Sequence, residues 1–456
     1  MVVYYSTQLS EVVRENRLAA EFHRPGYKFT AKNPDNWRKI GRCSKLCQYG
    51  VSIKMNEAGR GVPIYRLNEI EGCFLSARPS KYAPILPMVA VDFELEKRDI
   101  LFCRTNGNIN YVGRTGLFLG DNEAVFASYL VRVRTDPSLL LPEYLTIYLS
   151  TEFGRRQIIR RAMQSNQVNV SAAELKRIDA FLAPDAVQKS ISRLVQDAYR
   201  KRTTGLALYT EAQQLLVSEL GLDKQSFHEH LGYTDRFSII GPSDIISSGR
   251  IDAQCFSPDA LFYENWLHAH GQCDRLGSLL RNAEKGHHQA ELANGSTDYC
   301  SIKHISDREL IEASKCSPPA DTLLAGSEDL LLAITGATIG KIGIVKRYDR
   351  LAFSGDLLCL RTSEMIDPHY LLLALDHRLG QVQFNRWITG STNGHLAPRD
   401  VKRVLVPRLN DDTEAKIAEL VRNSLFKRLE SDQLIEQAKI RVEHVVEEAV
   451  QHESVC

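Results

Sequence analysis

Short apolar runs bounded by turn residues fill two long portions of the chain. They are "VPIYRL", "DILFCR" and "FASYLVRVRT" in the first, and "DYCSIKHI", "DLLLAI", "KIGIVKR" and "LLCLRTS" in the second. Runs of this length, rich in β-branched and aromatic residues, predict strands. In the last run of the first set, Tyr129, Val131 and Val133 alternate with Leu130, Arg132 and Arg134, which predicts a strand with one polar face. Pro142 and Pro368 each open an apolar segment, and proline suits a first helical turn, so a helix is expected after each. Each portion therefore predicts a mixed α+β globule.

The two portions match each other in order, which is the mark of an internal repeat. "DILFCRTNGNINYVGRTGLF" from Asp99 lies ungapped against "DLLLAITGATIGKIGIVKRY" from Asp329, setting Thr105 on Thr335, Ile109 on Ile339 and Gly113 on Gly343. In that register Asn110 and Tyr111 stand where the second copy has Gly340 and Lys341. "LPEYLTIYLSTEFGRRQ" from Leu141 parallels "DPHYLLLALDHRLGQVQ" from Asp367. "QSNQVNVSAAELKRI" from Gln164 parallels "GSTNGHLAPRDVKRV" from Gly390, and "RLAAEFHRP" from Arg17 parallels "RIDAQCFSP" from Arg250. The halves diverge most in Arg42 to Glu94 and Arg281 to Asp321, so a common scaffold carries two different surfaces.

After each globule the rhythm changes. Beyond Pro184 to about Leu220, and from Asn410 to about Val450, no proline intervenes and the one glycine is Gly205. Apolar residues fall at helical spacing, as Val187, Ile191, Leu194, Val195 and Ala198 in one stretch and Ile435, Ala438, Val442, Val445 and Ala449 in the other. Asp185 and Asp411 or Asp412 suit N-terminal acids or caps. Helices of about 36 residues extend roughly 54 Å, and two amphipathic helices of equal length bury their stripes by pairing. The expected architecture is a pseudo-two-fold dumbbell, two homologous globules joined by two antiparallel coiled-coil helices. The simpler alternative folds each helix back on its own globule.

"GATIGK" at Gly336 to Lys341 invites a phosphate-loop reading, but G-x-x-x-x-G-K-[ST] needs four residues between its glycines, a hydroxyl after the lysine and then a helix. Here three residues intervene, Ile342 follows Lys341, and "IGIVKRY" predicts a strand. A tight turn between two strands is expected instead.

At 456 residues the chain is long for one core, and its 43% hydrophobic and 25% charged content fits a soluble globular protein. No window approaches the roughly 18 unbroken apolar residues of a membrane helix, and charges occupy the region where a signal peptide is apolar, so a cytoplasmic location is expected. Ten scattered cysteines lack the paired spacing of a zinc site and suit buried free thiols. The net charge of +1 neither favours nor excludes nucleic acid, because distribution decides.

Two homologous globules each followed by a long helix, with "AITGATIGKIGIV", "PHYLLLALDHRLGQ" and "GSTNGHLAPRDVKRVLVPRL", resemble the specificity (S) subunit of type I restriction-modification systems. The resemblance spans nearly the whole chain and is stronger in the second half. It implies target recognition domains at residues 1–183 and 234–409, a first spacer helix with its linker at 184–233 and a second at 410–456. Each domain would read one half of a bipartite double-stranded DNA target, with the helices setting the spacer. It further implies partners, two adenine-N6 methyltransferase subunits and nuclease-translocase subunits, and a part in DNA methylation and phage defence. The S subunit does no chemistry itself and holds no cofactor, AdoMet, ATP and magnesium belonging to the partners.

Base reading draws on Arg, Lys, Asn, Gln, Ser and Thr at groove edges. Around the glycine turns these are Thr105, Asn106, Asn108, Asn110 and Arg114 in the first half, and Thr335, Thr338 and Lys341 in the second. The loops "QSNQVN" and "GSTNGH" add Ser165, Asn166, Gln167, Asn169, Ser391, Thr392, Asn393 and His395. Arg155, Arg156, Arg160, Arg161 and Arg386 suit phosphates. Base-specific residues are also expected in the divergent segments, such as "RNAEKGHHQAELANGSTDY" from Arg281.

A self-contained methyltransferase would need an N-P-P-aromatic loop, and "NPDNW" at Asn33 has Asp35 where proline is required. A hydrolase finds no nucleophile elbow, and His287 and His288 lie in a polar loop. A non-catalytic coiled-coil scaffold for protein partners is the remaining alternative.

Overall fold

Ile100–Cys103 and Leu330–Ala333 are apolar at every position because both are buried on both faces, at the centre of two six-stranded sheets. The computed structural model describes residues 7–163, 167–223, 237–306, 308–310, 313–390 and 393–451. The chain divides into two compact units, unit one being Met1–Thr203 with Arg428–Cys456 and unit two Thr204–Lys427.

Unit one's sheet is built from β1 (Ser44–Tyr49), β2 (Ile70–Glu71), β3 (Phe74–Leu75), β4 (Ile100–Cys103), β5 (Thr115–Leu117) and β6 (Leu130–Thr135). Unit two's is built from β7 (Leu280–Lys285), β8 (Ile305–Ser306), β9 (Glu309–Leu310), β10 (Leu330–Ala333), β11 (Ile342–Ile344) and β12 (Leu357–Thr362). The order is β1-β6-β4-β5-β3-β2 in one and β7-β12-β10-β11-β9-β8 in the other. The repeat read in the sequence is thus a repeat of topology, down to the single parallel contacts β5 with β3 and β11 with β9.

Alternate side chains of the central strands serve two cores. Ile100 and Phe102 join Tyr144 and Tyr148, whereas Leu101 and Cys103 join Tyr65, Phe118 and Phe126. In unit two Leu330 and Leu332 join Tyr370, and Leu331 and Ala333 join Phe353. Burial pushes the Cys103 thiol up to about 11, which keeps it protonated and inert. Among the described residues no helix is long and apolar enough to cross a membrane.

The expected polar face of β6 is not there. Arg132 is 3% exposed, its guanidinium 5.3 Å from the Phe126 ring and donating to the carbonyls of Asp92 and Glu94 and to Gln48. The segment before β4 therefore folds over that face. Arg134 grips buried Asp99 through Nε and Nη2 at 2.7 and 2.8 Å, and Arg361 grips Asp329 in the same way at 3.0 and 2.7 Å.

Proline opens α1 (Pro142–Ser150) and α4 (Pro368–Asp376), followed by α2 (Glu152–Arg161) and α5 (Arg378–Trp387). A buried glutamine on the second helix of each pair clamps a short strand. Gln157 donates to the Asp179 carbonyl and accepts from its amide, at 2.8 and 2.9 Å. Gln383 treats Leu405 alike, at 2.9 and 2.7 Å.

The long helices are α3 (Asp185–Glu219) and α6 (Asp411–Ala449). The α6 cap is Asn410, whose Oδ1 accepts from the Thr413 amide at 2.9 Å, so Asp411 and Asp412 sit in the first turn, as Asp185 does in α3. Within unit one, Ile191, Val195 and Ala198 of α3 share a core with Ala438, Val442 and Val446 of α6. Val446 takes the central place expected of Val445, which is partly buried. Lys201 pairs with Glu430 and Arg441 with Ser190, so the segments run antiparallel. Within unit two, Tyr209, Ala212 and Leu216 share a core with Ile417, Val421 and Leu425, and Ser424 Oγ donates to the Gly205 carbonyl at 2.7 Å. These segments also pack on their own globules, against Tyr144 in unit one and Tyr370 in unit two. Pairing and folding back therefore occur together.

Candidate nucleic-acid interface

Each central strand ends in the glycine turn that drew attention in the sequence, and hydrogen bonding gives the true correspondence of the two copies. The Gly113 amide donates to the Cys103 carbonyl and the Cys103 amide to the Arg114 carbonyl, at 2.7 and 2.8 Å. In unit two the Gly340 amide donates to Ala333 and the Ala333 amide to Lys341, at 3.0 and 2.8 Å. Gly113 is thus the counterpart of Gly340, and Arg114 that of Lys341. The ungapped register is corrected by three residues, the first loop being that much longer. Strand pairing agrees, Gly116 facing Leu101 as Gly343 faces Leu331. A cation is therefore kept at this position in both units, where the sequence register put Tyr111.

Both glycines have positive φ, 85° and 91°. A Cβ on Gly113 would come within 2.6 Å of Ile158, and one on Gly340 within 2.4 Å of Gln381. The turn is held from α2 and α5. Arg155 donates to the carbonyls of Val112 and Ile109 at 2.5 and 3.2 Å, and Gln381 to that of Gly340 at 2.9 Å. Burial, with the Arg114 charge nearby, holds the Arg155 pKa below the usual arginine value. After Lys341 comes β11, so the chain has no helix to hold a nucleotide phosphate there.

In unit one Thr105–Asn106 pairs antiparallel with Val168–Asn169. Asn106 Oδ1 accepts from the Asn108 amide at 2.8 Å, and Asn108 Oδ1 from the Asn110 amide at 2.9 Å, two successive side-chain turns that shape the loop. A cleft of about 280 Å³ is lined by Thr105, Asn106, Gly107, Gln167, Arg66, Asn68 and Tyr129 among others. A second, of about 220 Å³, shares Asn68 and Asn106 with it and adds Tyr111 and Arg114. The Arg114 guanidinium sits 4.0 Å from the Tyr111 ring centroid. The result is a concave surface of amides, hydroxyls, exposed Tyr111 and the two cations Arg66 and Arg114.

In unit two Thr335 bridges to His395, and the Gly336 amide donates to the Gly394 carbonyl at 3.0 Å. Thr335, Thr338, Lys341, Asn393 and His395 thus belong to one pair of loops, Thr338 and Asn393 being exposed. Ser165, Asn166, Ser391 and Thr392 lie outside the described residues.

The arginines expected on phosphates are mostly engaged within their units. Arg155 holds the turn, as above. Arg160 donates to Phe22 O and pairs with Glu11 at 2.8 Å, and Arg161 pairs with Glu174. Arg386 pairs with Glu264 and lies 4.8 Å from the Trp387 ring. Amphipathic helix faces carried these guanidinium groups inward, where neighbouring acids and carbonyls satisfy them. Arg156 is exposed and pairs with Glu152 one turn away. Sequence reasoning missed Arg66, Asn68 and Tyr129, of which the first two fall in the divergent segment named for such residues.

The fold and the clefts define a two-copy α+β protein whose units share a scaffold and differ in the polar surface beside a cationic turn. Over 153 residues the chain is 28% identical to the type I restriction enzyme EcoKI specificity subunit of Escherichia coli strain K12, covering 33% of each. The match spans about a third of the length of that curated relative. Among solved structures it is similar to the type I restriction-modification S subunit from M. genitalium, with TM-score 0.43, 12% identity and 92% and 97% of the two chains covered. It is also similar to the HsdS subunit from Thermoanaerobacter tengcongensis, with TM-score 0.29, 13% identity and 90% and 97% covered. No family model matches. In sequence the chain resembles type I specificity subunits.

Proposed function

We propose that the chain is the specificity subunit of a type I restriction-modification complex, non-catalytic, each unit reading one half of a bipartite duplex target. The reading is carried by a single observation: one scaffold occurs twice, each copy presenting a cation at the same turn beside different polar side chains. A bipartite reader needs that combination, since phosphate contacts position while base contacts specify. The sequence likeness to a specificity subunit supports it. The partners are two adenine-N6 methyltransferase subunits, with nuclease-translocase subunits in the restricting form. AdoMet, ATP and magnesium belong to those partners.

The test is to co-express the chain with its methyltransferase partner and map modified adenines across the host genome. A two-part motif with a fixed spacer is expected. Modified adenines in no such motif would end the proposal.

Arg114 and Lys341 are assigned to phosphates. Arg114→Ala and Lys341→Ala should each weaken binding to the mapped duplex without changing the motif, and reduce the slope of log K against log salt by about 1. An altered motif with an unchanged slope would show instead that these cations read bases.

A further inference from the structure

We propose that Asp356 accepts a hydrogen bond from a cytosine amino group and thereby fixes one G·C pair in the half-site read by unit two. This rests on the DNA-reading function above. The residue is located by the repeat. The Arg104 amide donates to the Tyr129 carbonyl and the Ile334 amide to the Asp356 carbonyl, at 3.1 and 2.9 Å, so Asp356 is the counterpart of Tyr129, which lines unit one's cleft. One scaffold position thus carries a phenol in one unit and a carboxylate in the other.

The carboxylate is held in place by its neighbours. Thr335 Oγ1 donates to Oδ1 at 2.6 Å, Ser354 Oγ donates to Oδ2 at 3.3 Å, and the Asp356 amide donates to Ser354 Oγ at 3.2 Å. His288, from the divergent segment, places Nδ1 3.2 Å from Ser354 Oγ and 3.9 Å from Oδ2. A carboxylate offers about four acceptor positions, and these two hydroxyl donors use two of them. The side chain remains 38% exposed, beside the loops that carry Lys341 and Asn393.

An anion at a duplex surface is repelled by phosphates, so its place there needs a donor to meet. In the major groove the exposed donors are the amino groups of cytosine and adenine. Adenine sets its N7 acceptor beside that amino group and suits an amide, which donates and accepts together. Cytosine offers the donor alone, which matches a carboxylate that only accepts. Tyr129 can donate as well as accept, so unit one's half-site has no such requirement at the equivalent place.

The experiment takes the motif mapped for the unaltered chain and measures binding, with the methyltransferase partner present, to duplexes in which each specified base pair is replaced in turn. Failure to obtain a bipartite motif sinks the general reading before this step is reached. The unaltered chain should lose about tenfold to a hundredfold on replacing one G·C pair of one half-site. Asp356→Ala should lose that penalty while keeping those at all other positions, and Asp356→Asn should favour A·T there. A variant that still penalises every replacement like the unaltered chain overturns the assignment. So does complete loss of binding by both variants, because one base contact does not account for the whole affinity.

Discussion

Asp99→Ala lowers the stability of unit one by about 3 to 5 kcal/mol, the cost of leaving a buried charge without its partner. Asp99 is 1% exposed, accepts from both Arg134 donors and from the Glu96 amide at 2.9 Å, and forms an ion pair with Arg132 at 3.7 Å. Arg132 cannot turn to solvent, because β1 and the segment before β4 cover it. Burial already depresses its pKa, and Asp99 is the first charge that offsets this. The counterpart substitution, Asp329→Ala, costs less, about 1.5 to 3 kcal/mol for hydrogen bonds to a charged group. Arg361 is 41% exposed and can take water, and the place of Arg132 is held there by Cys359. Hydrogen exchange at the amides of β4 and β6, against those of β10 and β12, measures the two units in one sample. Equal losses in the two variants would remove Arg132 from the explanation.

On the proposed DNA-reading function, adding one helical turn to both long helices shifts the spacer of the target and leaves both half-sites as they were. The insertions belong at residues 203–204 and 427–428, where each helix leaves one unit and enters the other. Four residues add about 6 Å, and at about 3.4 Å per base pair this corresponds to roughly two base pairs. Inserting in both helices keeps Lys201 opposite Glu430 and Gly205 opposite Ser424, so neither unit's core is disturbed. Adenine mapping reads the outcome directly. Half-sites that change together with the spacer would sink the ruler assignment.

What periodicity and repetition encode is legible in the sequence. The strand at Leu330–Ala333, the helices after Pro142 and Pro368, and both long helices lie where apolar spacing and proline put them. The side-chain inventory of the loops was readable too, and Thr105, Asn106, Arg114 and Gln167 do meet around unit one's clefts. What failed was whatever depends on long-range closure. An ungapped match hid the three extra residues before Gly113, since only the hydrogen bonds from Cys103 and Ala333 fix that register. Arg132 reads as surface until residues 92–94 are folded over it. Arg160 and Arg386 read as free cations because Glu11 and Glu264, their partners, lie more than a hundred residues away in sequence. Asp356 gave no signal at all, standing in the short turn Ser354-Gly355-Asp356 between two apolar runs and becoming a candidate once its counterpart Tyr129 was known.

The division of the long helices has a consequence for how the protein is made. Unit two is one unbroken stretch, complete once residue 427 has emerged, but unit one waits for 428–451. Until then Ile191, Val195 and Ala198 lack the cover of Ala438, Val442 and Val446. At about 5 to 20 residues per second, residue 450 follows residue 203 by roughly 12 to 50 s. The half of the chain synthesised first is therefore the half that finishes folding last, and a chain cut short after residue 427 has only its second unit closed.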